Sequence, residues 1–158
     1  MVTNPALGVV LHGIGGFAAG SSGGAATDGP LRAVESAEGS LYELGRLDQG
    51  ERLYVYGDAE FLTVPGTYAG LTYLRPEQED ADIDRPSGYR LDLAEPADVF
   101  VAYDADAAAP WLDSWTDTGD SIGTDDGTRR VFRQSVDAGT TWLGGCPDTH
   151  RMYTVFVR

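Results

Sequence analysis

Short segments of alternating apolar and polar residues run from about residue 41 to residue 158, separated by Gly, Pro and Asp residues. In one segment, Tyr89, Leu91 and Leu93 fall on one face and Arg90 and Asp92 on the other, as in a half-buried strand. The pattern predicts strands at residues 52–56, 60–64, 71–75, 89–93, 98–103, 129–134, 140–144 and 152–157. We therefore predict an all-β domain over residues 40–158, a β-sandwich of the jelly-roll type.

The length and composition are those of one globular domain. A chain of 158 residues has room for a single domain, and the 42% of hydrophobic residues supply a core. The 21 glycines and 8 prolines suit short strands with tight turns better than long helices. A single cysteine, Cys146, excludes a disulfide bond within the chain.

The charge of the chain is strongly negative. The sequence has 25 acidic residues against 11 basic ones, all of them arginines, which gives a net charge of −14. Such a surface repels phosphate backbones, so the composition argues against nucleic-acid binding. A solvated surface that keeps the protein soluble is one explanation, and binding of cations or of a basic partner is the other.

Acidic residues concentrate at 77–84 and 117–127. Carboxylate oxygens on loops suit Ca²⁺, and Asp117, Asp120 and Asp125 are the candidate ligands. Neither run has the spacing of an EF-hand. The alternative is a pair of solvated loops without a metal, and we expect no other cofactor.

Two tryptophans lie four residues apart after Pro110, which can start a helical turn. On such a turn Trp111 and Trp115 project from one face. Trp rings stack on the apolar faces of sugars, and neighbouring carboxylates accept hydrogen bonds from sugar hydroxyls. The candidate ligand-binding residues are Trp111, Trp115, Tyr103, Arg75, Asp104 and Asp113. In the competing interpretation, both tryptophans close the end of the hydrophobic core.

Several short motifs imitate catalytic or cofactor sites. Residues 119–123, Gly-Asp-Ser-Ile-Gly, match the nucleophile elbow of hydrolases around Ser121, and residues 12–16 imitate an oxyanion loop. An elbow needs a strand before the serine and a helix after it, so we predict a turn of the sandwich instead. Residues 13–18 fit a dinucleotide pattern, but the Gly-rich stretch that follows breaks the required helix. Cys146 and His150 are interpreted as part of a turn rather than as a metal or nucleophile pair.

The first 30 residues differ from the rest, because residues 5–21 carry no Asp, Glu, Lys or Arg and lead into a Gly/Ser/Ala linker. The apolar stretch is shorter than a membrane span of about 20 residues, and no basic residue precedes it as in a signal peptide. Residues 6–21, with "LGVVLHGIGGFAAGS", resemble the first membrane segment of the bacterial L-rhamnose–proton symporter family. No second stretch of this kind follows, so we do not transfer the transport function. A membrane anchor, a signal-like segment and a fusion remnant stay open.

Four motifs carry a resemblance across residues 44–158: "RLYVYGDAEFLTVPGTYAGLTYLRPEQED", "ADVFVAYDADAAAPWLDSWTDTGDSI", "VFRQSVDAGTTWLGG" and "MYTVFV". In this order they resemble a β-sandwich domain attached to secreted bacterial and archaeal polysaccharide lyases and glycoside hydrolases. The resemblance implies an accessory domain rather than a catalyst, an association with carbohydrate, and a secreted or cell-surface location. Asp106 and Cys146 depart from the family pattern, which has an arginine and an asparagine there.

The sequence therefore favours a non-catalytic accessory module that binds polysaccharide. One alternative is a structural or protein-interaction domain with its tryptophans in the core. The other is an enzyme, either a hydrolase that uses Ser121 or a glycosidase or lyase that uses carboxylates.

Overall fold

The computed structural model describes residues 10–12, 29–36, 41–78, 88–107, 109–146, 149 and 151–158. These residues form eleven strands: β1 (Val10–His12), β2 (Leu31–Ser36), β3 (Leu41–Arg46), β4 (Phe61–Thr63), β5 (Thr72–Arg75), β6 (Tyr89–Leu93), β7 (Ala97–Asp104), β8 (Thr116–Thr124), β9 (Gly127–Val136), β10 (Gly139–Leu143) and β11 (Thr154–Val157). A short 3-10 helix, Pro110–Ser114, lies between β7 and β8. Its first residue is the proline whose fixed φ suits a helix start.

The strands pair antiparallel in two sheets. The large sheet has eight strands in the order β1-β3-β5-β11-β7-β9-β8-β4 and curls into half of a barrel. The small sheet has three strands in the order β10-β6-β2. In β6, Tyr89, Leu91 and Leu93 are buried while the residues between them are half-buried, as their alternation predicts. The predicted all-β sandwich is confirmed.

The prediction of a strand at residues 52–56 is wrong. Leu53, Tyr54 and Val55 are all buried, so their side chains do not alternate between core and solvent. The segment makes an isolated bridge between Arg52 and Glu60. Outside that bridge, the Val55 N–H donates a hydrogen bond to the carbonyl oxygen of Pro76, which follows β5, at 2.9 Å.

The sequence pattern does not predict strands β1, β2, β3 and β8. A shift of register interrupts β2 between Leu31 and Ala33, and another interrupts β8 between Asp117 and Ser121. Such shifts break the period of two on which strand prediction depends. Strand β2 pairs with β6, although it precedes residue 40, the first residue of the predicted β-domain.

Strand β7 lies in the core, and both of its faces are covered. On one face Tyr103 stacks on Tyr153 with ring centroids 6.0 Å apart, and Tyr153 in turn contacts a tyrosine of β6 in the small sheet. Phe100 points to the opposite face, where its ring lies 5.2 Å from that of Tyr68. Tyr68 belongs to the connection between β3 and β5, residues 47–71. We call the parts of this connection before and after β4, residues 47–60 and 64–71, the covering segment, because Tyr54 and Tyr68 pack on the side of the large sheet away from the small sheet.

A buried arginine joins the covering segment to the large sheet. Arg129 on β9 is 2% exposed, and its guanidinium donates to the hydroxyl of Tyr54 and to the carbonyl of Met152, both at 2.8 Å. The carboxylate of Asp126 lies 3.3 Å from the same guanidinium. Burial raises the pKa of Asp126, but the charge of Arg129 and hydrogen bonds outweigh it, so the pKa is lowered. The acid therefore remains ionised as the partner of Arg129.

No helix in the described ranges is long and apolar enough to cross a membrane. Of the apolar N-terminal stretch, the structure describes residues 10–12, which pair as β1 with β3. The predicted linker, the anchor or signal-like segment and the motifs at 13–18 lie outside the described residues, as does His150.

Candidate functional site

The tryptophan pair packs against the core. The 3-10 helix brings Trp111 and Trp115 together, with ring centroids 5.7 Å apart and ring planes at 84°. The Trp111 ring also lies 5.4 Å from the ring of Tyr153, and its Nε1–H donates to the carbonyl of Gly145 at 2.9 Å. Both tryptophans are half-buried. The shared face that their spacing predicts is thus turned towards the core.

Gly144 determines how closely Trp111 approaches the neighbouring chain. A Cβ atom at position 144 would lie 2.2 Å from Cδ1 and 2.4 Å from Cγ of Trp111. The backbone of Gly144 therefore covers part of the indole. This contact, together with the engaged indole N–H, supports the interpretation in which the tryptophans complete the core.

Tyr103 and Asp104 end strand β7 inside the protein, where they are 1% and 9% exposed. The Tyr103 ring meets Trp111 at 6.5 Å, whereas Asp104 accepts a hydrogen bond from the Thr149 hydroxyl at 2.9 Å. Asp113 is exposed on the 3-10 helix. Of the predicted ligand-binding residues, Tyr103, Trp111 and Trp115 lie together. The carboxylate of Asp104 forms its hydrogen bond within the protein.

Arg75 is buried in a network of ion pairs. Its guanidinium lies 2.6 Å from the carboxylate of Glu43 on β3 and 2.9 Å from that of Glu51 in the covering segment. It also donates to the Tyr73 hydroxyl at 2.6 Å. Burial raises the pKa of Tyr73 to about 12, against the opposing charge of Arg75. The ion pairs of Arg75 thus link the covering segment to the large sheet.

The candidate calcium ligands are each bound to a different partner. Asp117 binds the guanidinium of Arg130, Asp120 accepts the hydroxyl hydrogen of Tyr68, and Asp125 accepts the backbone N–H of Glu60. Within the described ranges, no three His, Cys, Asp or Glu side chains come together as a metal site would require. The predicted calcium set is not assembled in this part of the chain, and residues 79–84 of the other acidic run lie outside it.

The Gly-Asp-Ser-Ile-Gly motif lies within strand β8, so the prediction of a turn is wrong. Asp117 pairs with Phe132 and Ser121 pairs with Arg130, so β8 carries two more residues than β9 across this interval. Gly119, with a φ of +80°, lies in this irregularity. The turn-like sequence therefore forms a bulge rather than the end of a strand. After β8 the chain enters β9 rather than the helix that a nucleophile elbow requires.

Cys146 is buried and has no disulfide partner. Its Sγ lies 3.6 Å from the Sδ of Met152. The thiol therefore packs as an apolar group in the core, and its proposed neighbour His150 is not among the described residues.

The small sheet carries an exposed tryptophan on its outer face. Trp142 on β10 is 55% exposed and pairs in register with Arg90 on β6, whose guanidinium carbon lies 6.0 Å from the ring centroid. Arg90 in turn pairs with Glu35 on β2, with which it forms an ion pair at 3.1 Å. One row of side chains thus crosses all three strands.

A second, polar row lies beside the first. Thr140 pairs in register with Asp92, and its hydroxyl donates to that carboxylate at 2.6 Å. We call the two rows, Trp142, Arg90, Glu35, Thr140 and Asp92, the Trp142 face. The alternation within β10 places Thr140 and Trp142 on one side, and the buried Leu143 marks the other side as the core. This alternation could have identified Trp142 from the sequence.

No family model matches the chain, and no curated protein matches it. Among solved structures, it is similar to a β-glucuronidase from glycoside hydrolase family 2, with a TM-score of 0.64 and 18% identity over 85% of this chain and 14% of that one. It is also similar to a GH138 enzyme targeting pectin rhamnogalacturonan II, with a TM-score of 0.55 and 16% identity over 84% of this chain and 17% of that one. The chain thus spans less than a fifth of either enzyme.

These likenesses show the fold, which is that of a β-domain found in glycoside hydrolases. None of the findings supports the resemblance of residues 6–21 to a symporter.

Proposed function

We propose that this chain is a non-catalytic accessory module, secreted or at the cell surface, that binds polysaccharide through the Trp142 face. The observation that carries the proposal is the exposed ring of Trp142 beside the polar side chains of Arg90, Glu35, Thr140 and Asp92. The fold shared with domains of glycoside hydrolases supports a carbohydrate ligand. This chain corresponds to less than a fifth of either enzyme, so the shared fold does not imply catalysis.

In the proposed complex the indole of Trp142 stacks on the apolar face of a sugar ring. Arg90, beside the ring, donates hydrogen bonds to sugar hydroxyl oxygens. The carboxylates of Glu35 and Asp92 accept hydrogen bonds from other sugar hydroxyls. The row from Trp142 to Glu35 crosses two strand spacings and is therefore about 10 Å long. Such an open row suits an extended polysaccharide chain better than a single enclosed sugar.

Affinity electrophoresis against pectin, ulvan, alginate and cellulose tests the proposal. Pectin is included because one structural neighbour is an enzyme that targets a pectin component. We expect at least one polysaccharide to retard the native protein and Trp142→Ala to abolish the retardation.

The matched control is Leu62→Ala, which removes a side chain that is 48% exposed on β4 of the large sheet. Retardation should persist in this variant. Free migration of the native protein on all four polysaccharides, or equal retardation of Trp142→Ala, would overturn the proposal.

A second candidate is a structural or protein-interaction domain without a sugar ligand. The packing of Trp111 and Trp115 against the core favours it over sugar binding by those two rings. It predicts that Trp142→Ala changes no polysaccharide interaction but weakens the capture of a protein partner.

A further inference from the structure

The side of the large sheet away from the small sheet is covered at one end and open at the other. Strands β7 and β9 pair Asp104 with Arg129 at the covered end and Asp98 with Ser135 at the open end. Arg129 is buried beneath the covering segment, whereas Ser135 is exposed. Arg133, which pairs with Phe100 between these two ends, is exposed as well.

A cleft of about 350 Å³ lies at the open end, between the covering segment and β8. Tyr68 and Phe100 line its aromatic part, and the polar lining includes Thr116, Asp117, Asp120, Arg133 and Arg158. The volume falls within the range of about 300–1,000 Å³ that small-molecule sites occupy. We call this site the arginine cleft.

The acidic groups of the arginine cleft already have donors. Asp120 accepts the hydroxyl hydrogen of Tyr68 at 2.6 Å. Burial raises the pKa of Tyr68 and the bond to Asp120 raises it further, so the phenol remains a donor at neutral pH. Asp117 accepts from the N–H of Gly119 and from Arg130, and both bonds lower its pKa. Asp117 therefore stays ionised, but it pairs in register with Phe132 and binds Arg130, so its carboxylate lies on the opposite face of β8. Asp120, held by Tyr68, is the carboxylate that faces the cleft.

Arg133 differs from these groups. Among the described residues its guanidinium makes no hydrogen bond and no ion pair within 4 Å, although its charge contributes to the lowered pKa of Asp98. Arg158, which also lines the cleft, is paired with Asp98 at 3.3 Å and lies over the Phe100 ring at 5.2 Å. In a protein with a net charge of −14, a guanidinium at a cleft that donates no hydrogen bond within the described residues has its donors available for an anionic ligand.

We propose that the arginine cleft binds the carboxylate of a uronic acid residue. The planar fork of Arg133 matches a carboxylate and donates to both of its oxygens. The hydroxyls of the same sugar find an acceptor in Asp120 and a donor in Thr116. An inorganic anion leaves these polar groups unused, and a neutral sugar leaves Arg133 unpaired. The site is separate from the Trp142 face and does not depend on it.

Isothermal titration of the full chain with trigalacturonate, triglucuronate and their methyl esters tests the proposal. Esterification removes the charge and keeps the sugar rings. We expect at least one acid trimer to bind, and its ester to bind about tenfold to a hundredfold more weakly, because the hydrogen bonds to the charged group are lost. No binding of either acid trimer, or an ester that binds as tightly as its acid, would overturn the proposal.

Three variants assign the binding to the arginine cleft. Arg133→Gln should weaken the acid trimer about tenfold to a hundredfold and leave the melting temperature unchanged, because the side chain is exposed. Arg32→Gln removes the same charge from an exposed position on β2 and should leave binding unchanged. Trp142→Ala should also leave it unchanged, which separates this site from the proposed polysaccharide face. Native affinity in Arg133→Gln, or an equal loss in either other variant, would contradict the assignment.

Discussion

Replacing Gly144 with alanine is expected to destabilise the protein, because the new methyl group would occupy the space of Trp111. Its Cβ would lie 2.2 Å from Cδ1 of that indole, where 3.4 to 4 Å is ordinary contact. The indole cannot retreat freely, since its N–H is bonded to Gly145 and its ring lies against Tyr153 and Trp115. Either the backbone of β10 and its extension shifts, or Trp111 gives up these contacts.

The expected loss of unfolding free energy has two contributions, overpacking of the core and loss of the indole hydrogen bond. Overpacking of a core costs about 1–3 kcal/mol, and loss of the indole hydrogen bond adds about 1 kcal/mol. The free energy of unfolding should therefore fall by about 2–4 kcal/mol. In a domain of this size each kcal/mol lowers the melting temperature by about 2–4 °C, which gives a fall of about 4–16 °C.

Thermal and urea unfolding of Gly144→Ala and Gly66→Ala measure this effect. A Cβ at Gly66 has no atom within 4 Å, so that control should stay within about 0.5 kcal/mol of the native protein. If Gly144→Ala proved as stable as Gly66→Ala, Trp111 would have to be free to move. The interpretation of the tryptophan pair as part of the core would then be refuted.

Three further substitutions test the network beneath the covering segment and the bulge in β8. Asp126→Asn should lower the free energy of unfolding by about 1–3 kcal/mol at neutral pH. Burial raises the pKa of Asp126, but the neighbouring guanidinium of Arg129 and hydrogen bonds lower it below its usual value in the folded state. The difference in the free energy of unfolding between this variant and the native protein should therefore be fully present above the unfolded-state pKa of about 3.9. It should vanish as pH falls through the folded-state pKa. Urea unfolding across the acid range measures it, and a difference that does not shrink contradicts it. Arg75→Met leaves Glu43 without its partner at 2.6 Å and should lower the free energy of unfolding in urea by about 3 kcal/mol. The control is Arg52→Met, since Arg52 lies 3.7 Å from the same carboxylate, and it should cost less than about 1 kcal/mol. Equal costs would argue against the buried pair. Gly119→Ala, at a φ of +80° with no crowding atom, should cost about 1–2 kcal/mol in thermal unfolding, and an unchanged stability would mean that β8 lacks the bulge.

The strands with one covered face could be predicted from the sequence. In β6 the alternation of Tyr89, Leu91 and Leu93 with polar residues corresponds directly to core and solvent. Residues 53–55 break this relation, because the covering segment adds a further layer and all three side chains are buried. A period of two reports a sheet with one solvent face, so it cannot describe a segment enclosed on all sides.

The candidate site was predictable only in part, because exposure is a tertiary property. The spacing of Trp111 and Trp115 predicts their contact, but the coverage of Trp111 depends on Gly144, which is distant along the chain. Arg75 is a plausible ligand contact by residue type, yet Glu43 and Glu51 from other elements hold it inside the protein.

We propose that Trp142, and not Trp111 or Trp115, contacts the polysaccharide. Tryptophan fluorescence during titration with the polysaccharide that retards the native protein tests it most directly. We expect a fluorescence change in the native protein and in Trp111→Phe, and none in Trp142→Phe. A change that persists in Trp142→Phe and disappears in Trp111→Phe would contradict it.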